Sequence, residues 1–239
     1  MSVCVLEAVT RTGSRPLAGV RNWSQLPGER SGGVSKSAVA RLSRRLAQRY
    51  KGAVTKLLYS ATMSLDGFIA GPGGDMQWLA KHLAEPNPEA AALMEDIGAL
   101  LVGANTNSGD DPNAGTDKEG AFGGEHTGPV IVLTHKLPER VDEGEAADHA
   151  TRYTTDLRAA VALSKQLAGD SRRYVNVLGA DVARQLIEAG ELDEVLMFVA
   201  PVLLGDGVRM FEHAGGNEVS LRPLDASGTH TLWFEILRD

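Results

Sequence analysis

The sequence predicts an α/β domain, with a mixed, mainly parallel sheet flanked by helices, behind a basic N-terminal extension. Three observations carry this. From residue 54 onward, short β-rich runs alternate with amphipathic helical runs. The run EVLMFVA (194–200) is almost continuously apolar, as in a strand covered on both faces. Charge also divides the chain. Residues 1–53 hold ten Lys/Arg and two acids, a net of +8, and the remainder holds 14 Lys/Arg against 29 acids, a net of −15.

Taken in order, residues 1–33 show no sustained periodicity and many Gly/Pro breakers, the pattern of a disordered segment. Residues 35–50 read as a helix, with Val39, Leu42, Leu46 and Tyr50 on one face and Arg41, Arg44, Arg45 and Arg49 around it. A nucleic-acid arm, a membrane-surface helix, a transit peptide and an unpacked tail all fit that pattern. The folded pattern begins at Val54, where a protein of this type would start, and no nucleic-acid binding is expected of the folded part.

From there the expected elements are a strand over 56–63 ending at Asp66-Gly67, then a helix over 88–97. Asn87 is that helix's N-cap, Pro88 lies in its first turn and Gly98 stops it. A strand at 99–102 leads into a long polar, Gly-rich stretch over 103–129. Such stretches inside compact domains are functional or disordered. Strands at 130–134 and 150–153 follow, then a helix over 157–167 capped by Asp156 and closed by Gly169. A strand at 174–178 runs into Gly179, a helix spans 182–189 with Gly190 as its stop, and a strand spans 194–200. Runs at 219–224 and 229–237 read as an antiparallel hairpin at the sheet edge.

Composition removes several functional classes. No apolar run approaches the roughly 18 residues of a membrane span. The lone Cys4 excludes an internal disulfide framework and fits a reducing, cytoplasmic compartment. The six histidines are scattered, none at metal-ligand spacing, so no metal is expected. GxGxxG and P-loop patterns are absent, and so is the H-x-E with P-C-x-x-C signature of the zinc deaminases.

In a parallel sheet, ligands lie beyond the C-terminal strand ends. Four such ends carry unusual residues: Ser64-Leu65-Asp66-Gly67, Gly103-Ala104-Asn105-Thr106, Thr134-His135-Lys136 and Gly179-Ala180-Asp181-Val182. The last is a strand–glycine–helix junction, whose free N–H groups suit a phosphate. Asp66 also has a plain reading as half of an Asp-Gly turn. Trp78 fits a pocket cover or a loop anchor equally. Glu194, at a strand start after Asp193, reads as a solvated or structural acid rather than a catalyst.

The segments TMSLDGFIAGPGGDMQWL, LLVGANT, GPVIVLTHKLPE, VLGADVARQLIEAGELDEVLMFVAPVLLGDG and TLWFEILRD occur in the order seen in the dihydrofolate reductase-like family. Over nearly all of 54–239 the chain resembles the branch of the C-terminal reductase domain of bacterial riboflavin biosynthesis. The resemblance implies a dihydrofolate reductase-like sheet, NADPH (or NADH) as cofactor, and hydride transfer to a small heterocyclic, pterin- or pyrimidine-like, or ring-opened sugar substrate. A homodimer is also implied. A catalytically inactive nucleotide-binding protein of the same fold is the alternative. By position, Gly179, Ala180, Asp181, Val182 and Ala183 would hold the pyrophosphate. Thr134 and His135 would lie beside the adenosine, and Gly103 and Thr106 on the phosphate side. Asp66 would be the catalytic residue, with Ser64, Asp66, Trp78, Leu204 and Gly205 at the substrate. Where the family usually carries Gly-Arg-x-Thr, this chain has Gly103-Ala104-Asn105-Thr106 and lacks the phosphate-facing arginine. Lys136 or Arg184 would have to compensate.

Overall fold

The computed structural model describes residues 55–80, 82, 88–109, 111, 113, 115–116, 119–138, 151–169, 172–224 and 230–238. All of them belong to one compact unit that includes 53–239. The expected helix at 35–50 and the Asn87 cap lie outside the described residues.

An eight-stranded sheet organises this unit. Its strands are β1 (Lys56–Ser64), β3 (Ile97–Gly103), β4 (Val130–Leu133), β5 (Thr151–Thr154), β6 (Tyr174–Leu178), β7 (Glu194–Ala200), β9 (Leu221–Pro223) and β10 (Thr231–Ile236). A separate two-stranded ribbon pairs β2 (Phe68–Ala70) with β8 (Val208–Arg209). The order across the large sheet is β5-β4-β3-β6-β1-β7-β10-β9. The six strands from β5 to β7 run parallel, and β10 pairs antiparallel with both β7 and β9.

Alternation along the strands sorts two apolar layers. Leu57, Tyr59, Leu101, Val175 and Val177 face α4 (Leu157–Ala168) and α5 (Ala180–Glu188), which contribute Ala160, Val161, Val182, Ala183 and Leu186. Leu58, Leu100, Val132, Leu196 and Phe198 face the other way, against Ala90 and Leu93 of α2 (Pro88–Asp96) and against Phe122. Asp156 caps α4 as expected, its carboxylate accepting from the Ala159 N–H at 2.7 Å. Two short helices complete the set, α1 (Gln77–Ala80) and α3 (Ala104–Ser108).

Three of the departures from the sequence reading bear on packing or on the site. Gly98 is not the stop of α2, because β3 already begins at Ile97. Its role is close approach: a Cβ there would lie 2.5 Å from the Ala168 carbonyl oxygen and 2.7 Å from the Arg172 Cβ. The α5 helix starts at Ala180, two residues early, directly on Gly179. The stretch after Gly103 opens with a helical turn, and Phe122 within it is buried against the sheet.

At the N-terminal edge of the sheet, Glu194 is fully buried and draws four elements together. Its carboxylate accepts from Lys56 Nζ at 2.6 Å, from the Tyr174 hydroxyl at 2.8 Å and from Trp233 Nε1 at 2.8 Å, with Arg173 at 3.7 Å. Burial, then the Glu194 charge, push the Tyr174 phenol well above its ordinary range, so it remains a donor at any physiological pH. Beside it, Asp193 accepts from the Leu57 N–H and from Arg238, both at 2.8 Å. Glu194→Ala leaves the buried Tyr174 hydroxyl, the half-buried Trp233 N–H and the partly exposed Lys56 ammonium without their acceptor. It is expected to lower stability by about 3–5 kcal/mol, read as the urea midpoint at unchanged slope. A loss below about 1 kcal/mol, the worth of an exposed pair, would show that the network is not structural.

Candidate functional site

The strand order reverses direction around β1 and β6, and a cavity of about 310 Å³ opens there, beyond the C-terminal strand ends. Its floor comes from residues 60–62 of β1 and from Leu178. Residues 103–106 after β3 and, beside them, residues 133–135 and Thr155 after β4 and β5 continue the lining. The start of α5 and the ribbon residues Ala70 and Val208 close it. The volume lies at the low end of the range for small-molecule sites, roughly 300–1,000 Å³.

Gly179 is the hinge of this constellation. It carries φ +105°, and a Cβ there would stand 2.6 Å from Thr106 Oγ1. A Cβ on Gly103 would meet Val182 Cγ2 at 3.1 Å. The β3–α3 and β6–α5 junctions therefore pack directly on one another, with glycine required at 179 and a tight fit at 103. No side chain caps α5. The N–H groups of its first turn are left at the cavity, with the positive end of the helix dipole behind them.

Of the residues expected at a cofactor, Gly103, Thr106, Thr134, His135, Gly179, Ala180, Asp181 and Val182 all line the cavity, while Ala183 lies behind it in the apolar layer. The Thr134 hydroxyl donates to the Lys136 carbonyl oxygen at 3.0 Å, so it also fixes the turn that ends β4. Asp181 bonds Arg184 at 2.6 Å and Gln185 at 2.8 Å, and the Arg184 contact, above all, holds its carboxyl below the ordinary carboxylate range. The other Arg184 amino group bonds Glu188 at 2.7 Å, so both forks of the guanidinium are committed.

The residues expected at a substrate are arranged differently. Ser64, Asp66, Trp78, Leu204 and Gly205 are not part of the cavity lining. Asp66 instead clasps two chain segments. One oxygen accepts from the Ser64 hydroxyl at 2.6 Å and from the Leu204 N–H at 3.1 Å; the other accepts from the Gly205 N–H at 2.7 Å. These bonds, Ser64 first, draw its carboxyl down from 3.8 to about 2. The Ser64 hydroxyl in turn accepts from the Phe68 N–H at 3.0 Å. The segment after β7 is further stitched down where the Met210 N–H meets the Gly67 carbonyl at 2.9 Å, and where Gly207 passes Ala70 too closely for any side chain. Trp78 sits half-buried beside His82, ring centres 6.1 Å apart.

The sequence reading did not assign Thr62, Ile69, Ala70, Met76, Thr155 and Val208, which also line the cavity. The period-2 alternation of β1 could have flagged Thr62. The β2–β8 ribbon is too short to leave a pattern. Among the described residues no cluster of three or more His, Cys, Asp or Glu could hold a metal, and no helix is long and apolar enough to cross a membrane.

Residues 55–231 match the family model described as the RibD C-terminal domain. The chain belongs to the RibD C-terminal domain family. Among curated relatives, it is 27% identical over 171 residues to the riboflavin biosynthesis protein RibD of Corynebacterium ammoniagenes, covering 69% of this chain and 50% of that protein. It is 26% identical over 195 residues to RibD of Mycobacterium tuberculosis, covering 80% and 55% respectively. The chain thus spans about half the length of these RibD proteins. The fold is also that of a putative riboflavin biosynthesis protein from Shewanella sp. PV-4, at TM-score 0.53 and 22% identity, over 77% of this chain and 100% of that one. The mixed, mostly parallel sheet flanked by helices is the architecture that the motifs anticipated.

Two outcomes follow from this geometry. Gly179→Ala forces a strained φ and a clash with Thr106, and should cost about 1–3 kcal/mol of stability, read by thermal unfolding; an unchanged melting temperature would show that the two junctions can separate freely. The Asp66 carboxyl is lowered in the folded state. Its clasp is therefore fully stabilising above pH 4 and is lost as pH falls toward about 2. Asp66→Asn should flatten the acid limb of the stability–pH curve. A curve of unchanged steepness would assign the acid loss to other carboxylates.

Proposed function

We propose that residues 54–239 form a reductase domain that binds a reduced nicotinamide dinucleotide and passes hydride to a small heterocyclic, pterin- or pyrimidine-like, or ring-opened sugar acceptor. The observation that carries this reading is the uncapped start of α5 on Gly179, set against the 103–106 junction at the mouth of the cavity. Membership of the RibD C-terminal domain family supports the same chemistry.

A bound reduced nicotinamide supplies the hydride from its C4, and the acceptor's C=N or C=O gains that hydride plus a proton. The chain's part is to bind and orient both partners. The N–H groups of Ala180, Asp181 and Val182 hold a diphosphate. Ile69, Ala70, Leu178 and Val208 give a largely apolar lining that keeps water from the ring. Asp66 acts here as a positioning residue: tied to three donors and ionised to about pH 2, it holds the post-β7 segment rather than delivering the proton, which comes from solvent. A cytoplasmic homodimer belongs to the same proposal.

A second reading, nucleotide binding without turnover, is favoured by one observation: Asp181 and His135 are the only Asp, Glu, Lys, Arg or His side chains among the described lining residues. Titrating NADH and NADPH into the full-length chain by nicotinamide fluorescence, then following oxidation with a panel of pterin and pyrimidine acceptors, tests both. Binding with turnover of one acceptor is expected. Binding without turnover on any acceptor would favour the second reading, and binding of neither dinucleotide would remove both.

A further inference from the structure

The charge lining the cavity is unusual for a site that takes a highly anionic ligand. Among the described lining residues there is no lysine and no arginine, and the one carboxylate, Asp181, stands in the first turn of α5 with its side chain 62% exposed. The nearest guanidinium on the same helix, Arg184, is held at both ends by Asp181 and Glu188. Lys136 is exposed one residue beyond His135 and outside the lining. The surrounding chain from residue 54 carries a net −15. Helix-start N–H groups serve a diphosphate, whose charge is spread over two groups. A further phosphate monoester needs a dedicated cation, most effectively a planar arginine fork.

Resting on the reductase reading, we infer that the site selects the dinucleotide whose adenosine ribose carries a free 2′-hydroxyl, NADH, over NADPH. Asp181 is the residue that sets the preference. A carboxylate accepts hydrogen bonds from a ribose hydroxyl and repels a dianion in the same place. Its link to Arg184 keeps it ionised while taking away the cation that a 2′-phosphate would need. The reasoning extends to the acceptor: with no lysine or arginine among the described lining residues, an uncharged ring is favoured over a phosphorylated one.

The test measures dissociation constants of NADH and NADPH for the full-length chain and for two variants, at low and at physiological salt. The parent is expected to bind NADH at least about fivefold more tightly at low salt, with the gap narrowing as salt screens the repulsion. Asp181→Asn removes the carboxylate charge and loosens one fork of Arg184, the other staying on Glu188, and should improve NADPH binding several-fold relative to NADH. Ala104→Arg places a guanidinium in the lining without touching α5, and should act in the same direction. NADPH binding as tight as or tighter than NADH in the parent overturns the inference and leaves the reductase reading standing. An NADPH:NADH ratio that moves in neither variant also overturns it. Failure of both dinucleotides to bind the parent overturns the inference and the reductase reading together.

Discussion

The buried carboxylate of Glu194 is the constraint around which the sheet is assembled. It begins β7 and takes hydrogen bonds from β1, β6 and β10, strands that come from distant parts of the chain. A charge taken fully out of water is costly unless all its partners are in place. The network therefore tolerates one register of these strands and penalises slips. With the N-terminal edge fixed in this way, the opposite edge can be left under-packed. The cavity, the uncapped α5 and the glycine-rich junctions all lie at that end, where structure gives way to ligand binding.

Most of the sheet was legible because its strands are apolar on both faces and its turns are marked by glycine. The runs at 174–178 and 194–200 have the expected bounds, and the Asp156 cap and the antiparallel edge pair stand where the pattern put them. Gly98 was misread because a glycine after a helical run fits a helix stop and a close strand contact equally well, and only the third dimension places the Ala168 carbonyl beside it. The β2–β8 ribbon left no trace, since three and two residues cannot show a period. Asp66 shows a further limit. The sequence marks it as unusual, yet its role depends on Leu204 and Gly205, 138 and 139 residues away, whose N–H groups it holds.

Local electrostatics qualify what a family resemblance conveys. The fold and the place of the cleft follow from packing that many sequences satisfy. The affinity of the cleft for one anion over another follows from a few side chains at its mouth. On the proposed reading those are Asp181, Arg184 and Ala104, all three of them exposed or half-exposed positions. The scaffold and its ligand preference are thus separable properties of the chain.

The far edge of the sheet has a consequence of its own. The outermost strand β9 is only three residues long, and it contains Arg222, paired with Glu235 of β10, and Pro223. Because the Leu224 N–H turns inward to the Trp233 carbonyl, the nitrogen of Pro223 faces outward, where a neighbouring chain would look for a donor and find none. An eight-stranded sheet with an open rim is a template for runaway self-association. A strand this short, with a missing donor at its outer side, gives an incoming strand little backbone to add to.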